Sequence, residues 1–212
     1  WRYVDLKKPV AEDFAEPVNG LESPWGTAQL TFIANRKNVP QPPQSMQELL
    51  AFAKAHPGRV SYPKPPSFHG ITFLKQAMLE LNPDRSVFSK PANAQTFAKA
   101  TAPLWRYLDS LHPYLWRQGK AFPPSAEKMQ QMLNDGELYL SLTFNPNEAA
   151  YLIGQRRLPA SVYSYAHRSG TIANVHFIAI PYNAKSRAGA LMLANFLLSP
   201  EAQARKADIQ QW

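Results

Sequence analysis

The sequence, 212 residues long, contains no cysteine. Disulfides, thiolate nucleophiles and cysteine-ligated zinc are therefore excluded as sources of stability or chemistry. No apolar run approaches the roughly 18 residues that a membrane-crossing helix needs. Catalytic fingerprints are missing too: there is no G-x-S-x-G elbow, P-loop, G-x-G-x-x-G turn or H-E-x-x-H pair. The five histidines, at 56, 69, 112, 167 and 176, are dispersed. His56 and His112 each precede a proline at a helix end, where a cap or dipole partner is the expected role. The sequence opens on neither methionine nor a basic-then-apolar leader, but in Trp1-Arg-Tyr-Val-Asp-Leu6. That string reads as the middle of a strand, and a processed or truncated piece is the expectation. No catalytic residue, metal ligand or cofactor is expected.

What is present describes a folded chain. Hydrophobic residues make up 45%, five tryptophans are included, and the length suffices for one good core or two small lobes. The formal charge of +8 raises the question of nucleic acid. The basic residues are scattered, however, with Lys7-Lys8 and Arg156-Arg157 the densest pairs. No aromatic RNA-binding signature or helix-turn-helix spacing accompanies them. A basic solvated surface is the better reading, and no nucleic-acid partner is expected.

Two extended pieces, Trp1–Leu6 and Gln29–Ala34, are expected near the start, the second buried through Leu30, Phe32 and Ile33. Ser45-Met-Gln-Glu48 is a capping box opening a helix whose Met46, Leu49, Leu50 and Ala53 share a face. Val60-Ser61-Tyr62 reads as a short strand. The next helix carries Ile71, Leu74, Met78 and Leu81 on its expected buried face and stops at Asn82-Pro83. Phe97, Thr101, Leu104, Leu108 and Leu111 define a longer helix with Pro103 inside it. Ser125 caps a helix that Gly136 ends. Leu138 to Phe144 alternates as a strand does, and Asn145-Pro-Asn-Glu148 should start a helix with Asn145 as cap. Val175–Ile180 reads as a buried strand stopped by Pro181. Ser186 then caps a helix apolar on most faces, expected to be covered, and Ser199-Pro200 opens another. Helices and strands alternate throughout, which is an α/β pattern.

Ligands of open α/β sheets gather beyond strand ends, where helix N-termini present free N–H groups. Three junctions qualify. At the first, Ser67, Phe68, His69 and Gly70 offer a hydroxyl, an apolar wall, a switchable donor and close backbone approach. At the second, Thr143, Asn145 and Asn147 can hydrogen-bond a polar ligand, and Glu148 can face a cation. At the third, Trp25 and Gly26 form an aromatic wall at a turn, with Asn174 on a facing side. Each has a plainer reading as well: helix capping at the first two, a core tryptophan and a strand start at the third. The first junction, a helix N-terminus without nearby acid, hints at an anionic group; Glu148 and Tyr151 leave a cationic solute open.

Several strings carry a resemblance: Gly20-Leu-Glu-Ser-Pro-Trp-Gly26, Pro65–Gly70, Gly136-Glu137, Leu142-Thr-Phe-Asn-Pro146, Ala179-Ile-Pro-Tyr-Asn-Ala184 and Phe196-Leu-Leu-Ser-Pro-Glu-Ala-Gln-Ala204. Together they resemble the second half of periplasmic solute-binding proteins of ABC importers, in the iron/thiamine/polyamine-like superfamily, and within it the YnjB-type group. The resemblance implies an α/β, periplasmic-binding-protein-like (type II) lobe: a mixed sheet flanked by helices, with hinge strands at Leu30–Ala34 and Val175–Ile180. Residues 1–37 would be an extended approach and hinge crossing. Residues 38–165 would be the main ligand-binding lobe, and 166–212 the returning hinge strand and C-terminal helices. Most of the first lobe of such a protein would lie outside this sequence. The function implied is capture of a small polar solute in an interlobe cleft in the periplasm. Its partners would be an ABC permease and its ATPase at the inner membrane. An enzyme on the same two-lobe fold and a basic-faced adaptor remain the alternatives.

Overall fold

A computed structural model describes residues 10–13 and 16–208. The expected strand Trp1–Leu6 lies outside them. The elements are β1 (Glu12–Asp13), β2 (Glu16–Pro17), β3 (Glu22–Gln29), β4 (Thr31–Asn35), α1 (Met46–Ala55), α2 (Phe68–Leu81), α3 (Ala94–Leu111), α4 (Ala126–Asn134), β5 (Leu140–Thr143), α5 (Glu148–Gly154), β6 (Val162–Tyr165), β7 (Ala173–Ala179), α6 (Arg187–Leu197) and α7 (Pro200–Lys206). They fall into two compact units. The larger is Leu30–Ile172; the smaller combines the described parts of Trp1–Gln29 and Ala173–Trp212. The chain thus crosses between units at 29/30 and 172/173.

In the larger unit β4 is the central strand, antiparallel to β5 on one edge and β6 on the other. Its side chains alternate between two faces, as strand geometry dictates. Phe32 joins a core with Met46, Leu49 and Ala53 of α1, Phe73 and Ala77 of α2, and Leu104, Leu108 and Leu111 of α3. Ile33 points the other way, into a cluster with Leu133, Ala149, Leu152, Leu158 and Val162. Cover on both faces and neighbours on both edges leave all five β4 residues buried. Each large apolar side chain enclosed this way contributes about 1.5–3 kcal/mol.

Ser45 and Ser125 cap α1 and α4 as expected, their Oγ atoms accepting from Glu48 N–H and Lys128 N–H, but the reciprocal half of the Ser45 box is not made: the Glu48 carboxylate accepts from Gln44 N–H instead. Pro103 sits within α3, whose start is held by a reciprocal Asn93–Thr96 box. Three expectations shift. Val60–Tyr62 is buried but forms no strand; Trp116 N–H bonds the Val60 carbonyl instead of a neighbouring ladder. The buried line of α2 is Gly70, Phe73, Gln76 and Ala77, while Ile71, Leu74, Met78 and Leu81 are half-buried beside it. Gln76 faces inward because its side chain hydrogen-bonds the Gly170 carbonyl and the Ile172 N–H. Helix α5 begins at Glu148 with Asn147 at its cap position, two residues later than expected. Asn145 instead turns the chain, its side-chain oxygen accepting from Asn147 N–H at 3.0 Å.

In the smaller unit β3 and β7 pair as an antiparallel ribbon, with an irregularity between Pro24 and Gly26. Neither β7 nor α6 is covered as expected. No β7 residue is buried, and α6 buries only Ala194 while leaving Met192 75% exposed. The physical reason is a shortage of partners: the described part of this unit offers the short β1–β2 ribbon, the β3–β7 ribbon and two helices, too little surface to enclose an apolar helix. Ser186 makes no side-chain cap, whereas Ser199 does, accepting from Ala202 N–H ahead of Pro200.

Candidate functional site

The first two junctions meet in the larger unit. Ser67 caps α2, its Oγ accepting from Gly70 N–H at 3.2 Å. Phe68 and His69, the first two helical residues, are thereby aimed out of the helix start. Phe144, at the end of β5, meets both: its ring centroid lies 4.7 Å from that of Phe68 and 4.9 Å from that of His69. Phe68 remains 67% exposed, an apolar ring held open on the surface. Asn145 and Asn147 follow Phe144 directly, so amides border the aromatic cluster.

Two residues of the expected set are already occupied. Thr143 is 3% exposed; its hydroxyl accepts from Asn145 N–H and donates to the Glu148 carboxylate. Its role is to shape the turn. Gly70 does not leave room for a ligand, because a Cβ there would collide with the Pro63 carbonyl oxygen. Its missing side chain lets α2 pack against that carbonyl.

The electrostatics centre on His69. Burial pushes its pKa down, while the carboxylates of Glu127 and Glu148 pull it back up. The desolvation effect prevails, so the imidazole is chiefly neutral at neutral pH and can accept a hydrogen bond. Hydrogen bonding by Ser125 holds the Glu127 carboxyl below its usual range, with a smaller contribution from His69. Glu127 went unremarked in the sequence: a charged residue in the first turn of a capped helix looks like a dipole partner. It supplies the acid that the first junction was expected to lack. Phe144 was legible only as a strand residue.

Trp25, Gly26 and Asn174 belong to the smaller unit. Trp25 lies within β3, not at a turn. Its ring stands 4.1 Å from Lys206 Nζ, which also donates to the Trp25 carbonyl. A side chain at Gly26 would collide with that ammonium group. Asn174, half-buried in β7, pairs in register with Ala28.

Residues 3–211 match the family of bacterial extracellular solute-binding proteins. The chain belongs to that family. It is 58% identical over all 212 residues to Protein YnjB of Escherichia coli K12, covering 55% of that protein. The chain therefore spans about half the length of the curated relative it matches. The spermidine/putrescine substrate-binding protein PotD of Streptococcus pneumoniae superposes with a TM-score of 0.65 at 14% identity, over 92% of this chain and 54% of PotD. A ferric ion-binding protein from Pasteurella haemolytica gives 0.60 at 16%, covering 90% of this chain and 55% of its own. A periplasmic thiamin-binding protein gives 0.53 at 18%, covering 87% and 52%. At such identities these likenesses speak for the fold, and the fold is the periplasmic-binding-protein-like lobe expected from the sequence.

Proposed function

We propose that the full-length protein is the substrate-binding component of an ABC importer, acting in the periplasm, and that its solute is a small polar cation. The solute is held in a cleft, stabilises the closed state through its higher affinity for it, and is delivered to a permease and ATPase at the inner membrane. The carrying observation is the meeting of Phe68, His69 and Phe144 beside two carboxylates, Glu127 and Glu148. Aromatic faces attract cations through their quadrupoles, and a neutral imidazole adds no repulsion. Asn145 and Asn147 supply polar contacts that fix orientation. Ser67 serves as the cap that holds Phe68 and His69 in place.

Isothermal titration of the full-length protein with spermidine, thiamine, sulfate and succinate tests the reading. Binding of one of the two cations, weakened roughly tenfold by Phe144→Ala and by Glu127→Gln, is the expected result. Binding of the oxyanions alone, or a cation affinity indifferent to both substitutions, would overturn it.

A further inference from the structure

Helices α4 and α5 end in the same hydrogen-bond pattern with different residues at the turning point. After α4, Gly136 (φ 73°) gives its N–H to the Leu133 carbonyl, and Glu137 gives its own to Met132. After α5, Arg156 N–H bonds Ile153 and Arg157 N–H bonds Leu152, each at 2.9 Å. The residue in the left-handed conformation there is Arg156, with φ 58°. Glycine takes that position most easily, since any Cβ crowds the following carbonyl. An arginine at this point is a conformational choice against the local preference.

Both arginines face a groove of ≈ 530 Å³ between α4 and this turn. Its base is apolar, from Leu152 and Leu158, each about nine-tenths or more enclosed. Beside them Gln130 lines the groove at 6% exposure, and its side chain makes no hydrogen bond within the described protein. Its amide opens onto the groove rather than being sealed beneath it, so it is free to meet a ligand there. Lys128 adds a third cation, against Glu127 as the lining's one acid. Among the described residues neither arginine is ion-paired.

We propose that this groove is a second binding site, for a small organic acid. Its carboxylate is held by Arg156 and Arg157, whose guanidinium forks match two oxygens at once. The Gln130 amide donates to the same group or accepts from a neighbouring hydroxyl, and the acid's carbon stem rests on Leu152 and Leu158. The volume lies within the range of small-molecule sites, about 300–1,000 Å³. Apart from Glu127, none of these residues belongs to the aromatic cluster, so this inference stands apart from the import reading.

The test is calorimetric titration of the full-length protein with glutarate, glutaramide as its neutral analogue, and a hexaglutamate peptide. Glutarate should bind and glutaramide should not. Arg156→Gly should weaken glutarate roughly tenfold while leaving the melting temperature unchanged or higher, because glycine accepts the left-handed position freely. Gln130→Leu should weaken it too, and His69→Ala should leave it unchanged. Equal affinity in Arg156→Gly, equal binding of glutaramide, or binding of hexaglutamate alone would overturn the proposal. The cation response of the full-length protein should be untouched by Arg156→Gly, which separates failure here from failure of the import reading.

Discussion

His167 and Glu80 form a hydrogen-bonded pair sealed inside the larger unit: Nδ1 lies 2.5 Å from Oε1, with the side chains 0% and 4% exposed. The imidazole stacks flat on Phe32, centroids 4.4 Å apart at 8°. Glu80 also accepts from Met46 N–H and Gln76 Nε2, and Gln76 in turn holds Gly170 and Ile172. One carboxylate therefore ties the start of α1, the body of α2 and the last residues of the unit together.

Removing it should be costly. Burial alone would raise the Glu80 pKa, but hydrogen bonds from His167, Gln76 and Met46 outweigh it and hold the carboxyl below its ordinary 4.5. A depressed carboxylate stabilises the fold above its unfolded value and ceases to do so as pH falls through the folded one. Glu80→Ala should lose about 3 kcal/mol at neutral pH. The gap from the unmodified protein should narrow in acid below about pH 4. Urea unfolding across pH measures both.

Gly70→Ala should destabilise the larger unit by about 1–3 kcal/mol, since the new methyl meets the rigid Pro63 carbonyl, not a movable side chain. Gly136→Ala is the comparison: nothing surrounds its Cβ position, and the cost of about 1 kcal/mol comes from φ 73° alone. Thermal denaturation of the two variants should rank them in that order.

Solute affinity should fall in acid. The His69 pKa is depressed by burial, so the ring stays neutral until the pH drops below the ordinary histidine value of 6.5. Protonation then places a positive charge against a cationic solute. Titrations between about pH 5 and 8 should show this loss, and His69→Gln should flatten the profile.

The α6 surface predicts the behaviour of the isolated chain. Leu191, Met192, Leu193 and Phe196 are 47%, 75%, 57% and 52% exposed, four large apolar side chains left open along one short helix. The 212-residue chain should bind a hydrophobic dye and self-associate in gel filtration. Met192→Lys with Phe196→Lys should reduce both. Slower peroxide oxidation of Met192 in the full-length protein than in this chain is the expected result; equal rates would show that α6 stays open there.

The legible parts of this molecule were local. Ser45, Ser125 and Ser199 announce helix starts because a cap needs only residues three apart. The closeness of Phe144 to Phe68 and His69 depends on β5 ending beside α2, a matter of sheet order that no spacing encodes. The rotation of α2 escaped notice because Gln76 is buried for hydrogen bonds with residues almost a hundred positions later. The exposure of α6 escaped notice for a different reason. An apolar pattern reports what a helix needs against it, whether or not the same chain provides it.

The pairing of β4 has a bearing on how the chain is made. Its partners are residues 140–143 and 162–165, and β3 must await residues 173–179. A nascent polypeptide leaving the ribosome thus carries Thr31–Asn35 unmated until residues 140–143 and 162–165 have been translated. Such late closure slows folding and prolongs the exposure of a sticky strand.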